Sequence, residues 1–224
     1  NNEPFDFNTI ALVESYCELR FIVLTTVIGL GFLFAASSTM YWALSKSRRE
    51  KAEPNLVRRY QEGEWGGKYL LFISFSDKDE DVFKKHVYEQ LTARLKKRLK
   101  VEEKLICHNE ELMAGRMITD LLEQYIIWDS IVILLMVSKE YCKNINCQHE
   151  ARLVEEYNKP VIVMLLEEVD VCIMTPELSA IFSKCTKVKL EISDTENVIT
   201  IDWDILCNSI IELADDYLDR MNKV

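Results

Sequence analysis

Cys142, Cys147 and His149 carry the ligand types of a zinc site, with Cys107 and His108 as the other pair that could complete four-fold coordination. Their spacing matches no standard finger, and Cys107 and His108 are adjacent at the end of a different predicted strand. Reduced thiols, some of them buried, are the expectation, and no metal is. A nucleophilic cysteine is equally unsupported, because none of the three histidines can be paired with a thiol from sequence alone. The acidic run Ser76–Asp81 could bind a cation or form the acidic pocket of a response regulator, but that fold also needs an aspartate after the third strand, where Ser138 stands. A solvated turn in which Ser76 or Asp79 caps the next helix suffices. Phosphate-cradling loops are excluded, since residues 69–224 contain one glycine, Gly115, and neither glycine-rich nucleotide motif.

These residues are spaced along apolar runs of strand length: Tyr69–Phe75, Lys104–Cys107, Ile131–Val137, Val161–Leu166 and Lys187–Ile192. The third and fourth are apolar throughout, as in parallel strands covered on both faces. Helical patterns lie between them. Phe83, Val87, Leu91, Leu95 and Leu99 recur every four residues over 80–100, a second helix is predicted over 116–128, and Leu206, Ile210, Leu213, Ala214, Tyr217 and Met221 form a stripe over 203–221. The alternation predicts one doubly wound α/β domain built on a five-stranded parallel sheet.

The 224-residue chain has 49% hydrophobic and 29% charged residues, which excludes collagen, coiled coil and wholesale disorder. Residues 21–45 contain no Asp, Glu, Lys, Arg or His. As a helix, Phe21 to Leu44 would reach about 36 Å, enough to cross a hydrocarbon core of about 30 Å. The formal charge of −10 is distributed as −3 over 1–20, +3 over 46–68 and −10 over the rest. Lys46, Arg48, Arg49 and Lys51 follow the apolar run, so the positive-inside rule places residues 46–224 in the cytosol. Expected domains are an extracellular or lumenal stub at 1–20, a single transmembrane helix at 21–45, a basic linker at 46–67 and the α/β domain at 68–224. Lacking an initiator Met, the chain is expected to be the C-terminal part of a longer receptor. An acidic body is a poor ligand for phosphate backbones, so nucleic acid is not an expected partner.

Several motifs in this order resemble the Toll/interleukin-1 receptor homology (TIR) domain, and the arrangement as a whole resembles the C-terminal part of a Toll-like receptor. The first is Tyr69-Leu70-Leu71-Phe72-Ile73-Ser74-Phe75, with Leu70 at an acidic position of the family pattern. The second comprises His108, Glu110, Glu111, Ala114 and Gly115, followed at family spacing by Ile118, Ser138 and Tyr141. Asn146-Cys147-Gln148-His149-Glu150 and Asp202-Trp203 complete the set over about residues 68–221.

The resemblance implies a flavodoxin-like TIR fold, and partners consisting of TIR adaptor proteins, a second receptor chain and the lipid bilayer. It further implies protein contacts through the loop Glu110, Glu111, Leu112, Met113, Ala114, Gly115 and Arg116, and no resident cofactor. Ala114 stands where the family has proline, and Glu110 replaces a basic residue, which makes the loop more acidic and keeps a decoy or inhibitory receptor open as an alternative. Glu150 matches the glutamate that engages the nicotinamide ribose in TIR members that cleave NAD. A carboxylate there could stabilise charge developing as the glycosidic bond breaks, so an NAD glycohydrolase is the enzymatic alternative, with NAD as substrate. The bland account is a glutamate opening a helix, where the macrodipole favours it.

Overall fold

The computed structural model describes residues 27, 30, 31, 33–41, 43, 46, 47, 51–65, 67–108, 123–193 and 198–223, with the side chains of 127, 186, 191–193 and 198–200 excepted. Contacts divide the chain into two units, Asn1–Arg48 and Arg49–Val224. Of the predicted span, residues 27, 30, 31, 33–41 and 43 are described, and all are helical and exposed. Leu33, Phe34, Met40 and Tyr41 are each more than 60% exposed. Among the described residues no helix is long and apolar enough to cross a membrane.

In the second unit, β1 (Tyr69–Ser74), β2 (Ile106–His108), β3 (Ser130–Val137), β4 (Val161–Leu165) and β5 (Thr186–Lys189) form one parallel sheet in the order β2-β1-β3-β4-β5. That order is compatible with a flavodoxin-like fold. All eight residues of β3 are buried, and their alternation builds two cores. Val132, Leu134 and Met136 join one cluster, while Ile133, Leu135 and Val137 join the other.

The first cluster is covered by three helices. These are α1 (51–61), α2 (Glu80–Val82 and Glu89–Leu99, with the π-helical turn Phe83–Tyr88 between) and α6 (Trp203–Met221). The second is covered by α3 (Lys139–Lys143), α4 (Ile145–Glu156) and α5 (Pro176–Lys184). Local chemistry marks their ends. Asn144 accepts from the amides of Asn146 and Cys147, Thr175 from Leu178 with Pro176 in the first turn, and Asp202 from Ile205. Lys100, at φ 55°, closes α2 in the left-handed region.

Four expectations differ from the structure. The stretch expected as a linker, 46–67, contains α1, which buries Ala52, Leu56 and Arg59; Trp65 follows it into the same core and donates from Nε1 to the Leu56 carbonyl at 3.3 Å. The compact unit thus begins at Arg49 rather than at residue 68. Second, a strict four-residue repeat drifts by about 40° per step around a 3.6-residue helix. The wider π turn offsets that drift, and Phe83, Val87, Leu91, Leu95 and Leu99 all stay buried. Third, the run Lys187–Ile192 is not one strand. The Leu190 amide still reaches the Leu165 carbonyl at 2.9 Å, but β6 (Glu191–Ser193) pairs antiparallel with β7 (Val198–Thr200). Fourth, neither Ser76 nor Asp79 caps α2 through its side chain, because Asp79 is engaged elsewhere.

The close approach of the chain entering β1 to the residue before β3 accounts for Gly67. A Cβ at this position would lie 3.0 Å from the Asp129 carbonyl oxygen, a backbone atom with little room to yield.

Candidate functional site

Between β1 and β3 the strand order reverses, and the carboxyl ends of these two strands define the crevice where open α/β sheets bind ligands. Here β1 ends in Ser74, followed by Phe75 and Ser76, and β3 ends in Val137, followed by Ser138. Ser138 begins α3 because its hydroxyl oxygen accepts from the Tyr141 amide at 3.0 Å, while the same hydroxyl donates to Asp79 Oδ2 at 2.6 Å. The serine standing where a response regulator would have an aspartate therefore ties the acidic turn to the start of α3. Burial holds the Asp79 carboxyl above its ordinary range, and the bond from Ser138 partly offsets this.

Tyr141 is fully buried below this turn. Its hydroxyl lies 2.8 Å from Ser74 Oγ and donates to the Cys147 carbonyl at 3.3 Å. Cys147 in turn places its Sγ 3.6 Å from the Phe75 carbonyl. Burial raises the pKa of both groups, keeping the phenol and the thiol neutral. Replacing Tyr141 by phenylalanine preserves the ring but strips a partner from Ser74 and from the Cys147 carbonyl. We expect a loss of about 1–2 kcal/mol in denaturant unfolding, with the m-value unchanged.

Glu150 belongs to the same cluster. It is the sixth residue of α4, not its opening, so the macrodipole account does not apply. Its exposure is 1%, and Oε2 has no hydrogen-bond partner among the described residues. Burial pushes the carboxyl up to about 8; a hydrogen bond with Ser74 pulls it down, and the charge of Asp77 raises it. At neutral pH the group is chiefly a neutral acid. It cannot stabilise positive charge in that state, and 1% exposure leaves it sealed from solvent.

The structure thus brings Asp79, Ser138, Tyr141, Cys147 and Glu150 together through β1 and β3. His108, at the end of neighbouring β2, is packed edge-on against Phe83 and Tyr88, with ring centroids 5.1 and 5.3 Å away. The expected contact loop, Glu110 to Arg116, lies outside the described residues, as does Cys17. His149 is apart from the cluster, facing Arg152 Nη2 at 3.0 Å on an exposed surface. Among the described residues Cys107, Cys142, Cys147, Cys172, Cys185 and Cys207 are in no disulfide, and no group of three His, Cys, Asp or Glu residues is placed to hold a metal ion.

The Ser74–Tyr141 pair was not anticipated as a site feature. Its signal was present in that each residue stands in a motif at the end of a strand, but their 67-residue separation hides the contact. No known protein-family model and no curated protein sequence matches the chain.

Proposed function

We propose that the chain is a membrane-anchored signalling fragment of the Toll-like receptor type, whose cytosolic body assembles with other TIR domains when receptor chains cluster. The observation that carries this reading is the pairing of a helix bearing exposed Leu33, Phe34, Met40 and Tyr41 with a separate unit built on a β2-β1-β3-β4-β5 parallel sheet. In water such a helix would leave large apolar side chains uncovered, and a bilayer covers them. Basic residues at 46–51 then stop transfer and set the orientation. Clustering raises the effective concentration of the bodies, so weak TIR–TIR contacts become populated without chemistry. The acidic balance of the body favours an adaptor with a basic face.

The test is forced dimerisation of the full chain in cells carrying a TIR-adaptor reporter. Dimerisation should activate the reporter, and exchange of residues 110–115 for a Gly/Ser segment should abolish the signal while leaving the melting temperature intact. A normal signal from the exchanged variant would overturn the loop assignment, and silence from the dimerised parent would overturn the receptor reading. The enzymatic reading through Glu150 is disfavoured by the neutral, sealed carboxyl. Clustered full chain should consume NAD no faster than its Glu150→Ala counterpart.

A further inference from the structure

The opposite, amino edge of the sheet holds a groove of about 580 Å³, within the size range of small-molecule sites. Its walls come from the chain entering β1, the start of β3, the turn before β4 and the end of α6. Four aromatic side chains line it: Trp65, Trp128, Tyr157 and Tyr217. Trp128 is 69% exposed and Tyr157 43%, so their rings stand open in a concave surface.

The charge here runs against the net sign of the chain. The chain carries a net −10, yet this groove is lined by two cations, Lys159 and Arg220, and one acid, Glu64. Lys159 is 6% exposed and rigidly held. Its Nζ donates to the Ser130 carbonyl at 2.7 Å and lies 4.8 Å from the Tyr217 ring centre, with the Tyr217 hydroxyl at 3.4 Å. The Arg220 guanidinium lies 5.8 Å from the same ring. Burial lowers the Lys159 pKa to about 8.

We infer that this groove binds a small anion with a flat aromatic body, an aryl carboxylate in its simplest form. The anionic group is recognised by Lys159 and Arg220, and the ring by Trp128 and Tyr157. Aromatic stacking and a charge-assisted contact are both needed, since the ring alone would prefer lipid and the anion alone would prefer water. This inference is independent of the proposed receptor function, because it concerns a different edge of the sheet.

The full chain in lipid nanodiscs would be titrated against 4-(trifluoromethyl)benzoate and the 19F line followed, with empty nanodiscs as the reference. Saturable broadening is expected. Arg220→Gln and Trp128→Ala, both at exposed positions and so compatible with folding, should each weaken binding about tenfold. The uncharged 4-(trifluoromethyl)benzamide should bind at least about tenfold more weakly than the benzoate. Broadening that matches empty nanodiscs, affinity unchanged in both variants, or benzamide binding equal to benzoate would each overturn the assignment.

Discussion

Glu150→Gln is expected to raise the melting temperature at pH 8 and to remove much of the loss in stability that the unaltered chain suffers between pH 5 and pH 8. In the folded chain the carboxyl holds its proton up to about 8, whereas in the unfolded chain it loses it near the ordinary 4.5. Below 4.5 both states are protonated, and the group contributes no pH dependence. As the pH rises the unfolded state sheds a proton that the folded state keeps, so stability falls with pH across this window and levels off above it. At about 1.4 kcal/mol per pKa unit the full effect is on the order of 5 kcal/mol. For a domain of this size that corresponds to a shift of about 10–20 °C.

Tyr141 and Cys147 stay neutral throughout the window, since burial raises both. Asp79 and Asp215 are also raised by burial and contribute slopes of the same sign. Lys159, lowered to about 8, titrates at the upper end, where stability rises again. The difference between parent and variant therefore isolates Glu150. Thermal melts at half-unit steps from pH 4.5 to 9 would decide the matter. Parallel curves for the two proteins would mean that the carboxyl is solvated and not buried.

The second large effect concerns α1. Leu56 has no exposed surface, and Ala52 and Trp65 are almost fully buried in the core shared with α2 and α6. Arg59 fixes the helix against α6, pairing with Asp219 and approaching Asp215 Oδ1 at 3.8 Å. Leu56→Ala should cost about 2–5 kcal/mol, because the cavity lies between elements that cannot collapse onto it. A fragment beginning at residue 68 loses the whole layer and uncovers apolar surface of the first core. It should unfold at much lower denaturant than one beginning at 49, and bind hydrophobic dyes. Equal midpoints for the two fragments would show that α1 contributes nothing to the fold.

Much of this architecture was legible because burial has a period. The unbroken apolar run of β3 required cover on both faces, and the stripe over 203–221 coincides with α6. The acidic turn was legible only as a cluster. Its partner, Ser138, stands 59 residues away, and hydrogen bonding across strands leaves no periodic trace. The helix within residues 46–67 escapes a sequence reading for a related reason. Residues 46–67 are charged overall, and among the described residues Ala52, Leu56, Arg59 and Trp65 turn inward with Val57 and Tyr60 half-buried beside them, a pattern too interrupted by charge to separate from a solvated segment.

Glu150 shows where the division falls. Sequence alone determined the sheet-and-helix alternation, the sign of the charge on each segment, the exclusion of glycine-rich phosphate loops and the presence of a carboxylate after Cys147, because each depends on local composition or spacing. Only the tertiary structure decided that this carboxylate is sealed between β1 and α4 with its proton retained, that Arg59 pairs across to α6, and that Lys159 and Arg220 converge on one aromatic groove. Solvation is a property of what surrounds a group in space, and the neighbours that set it come from strands and helices many residues apart in the chain.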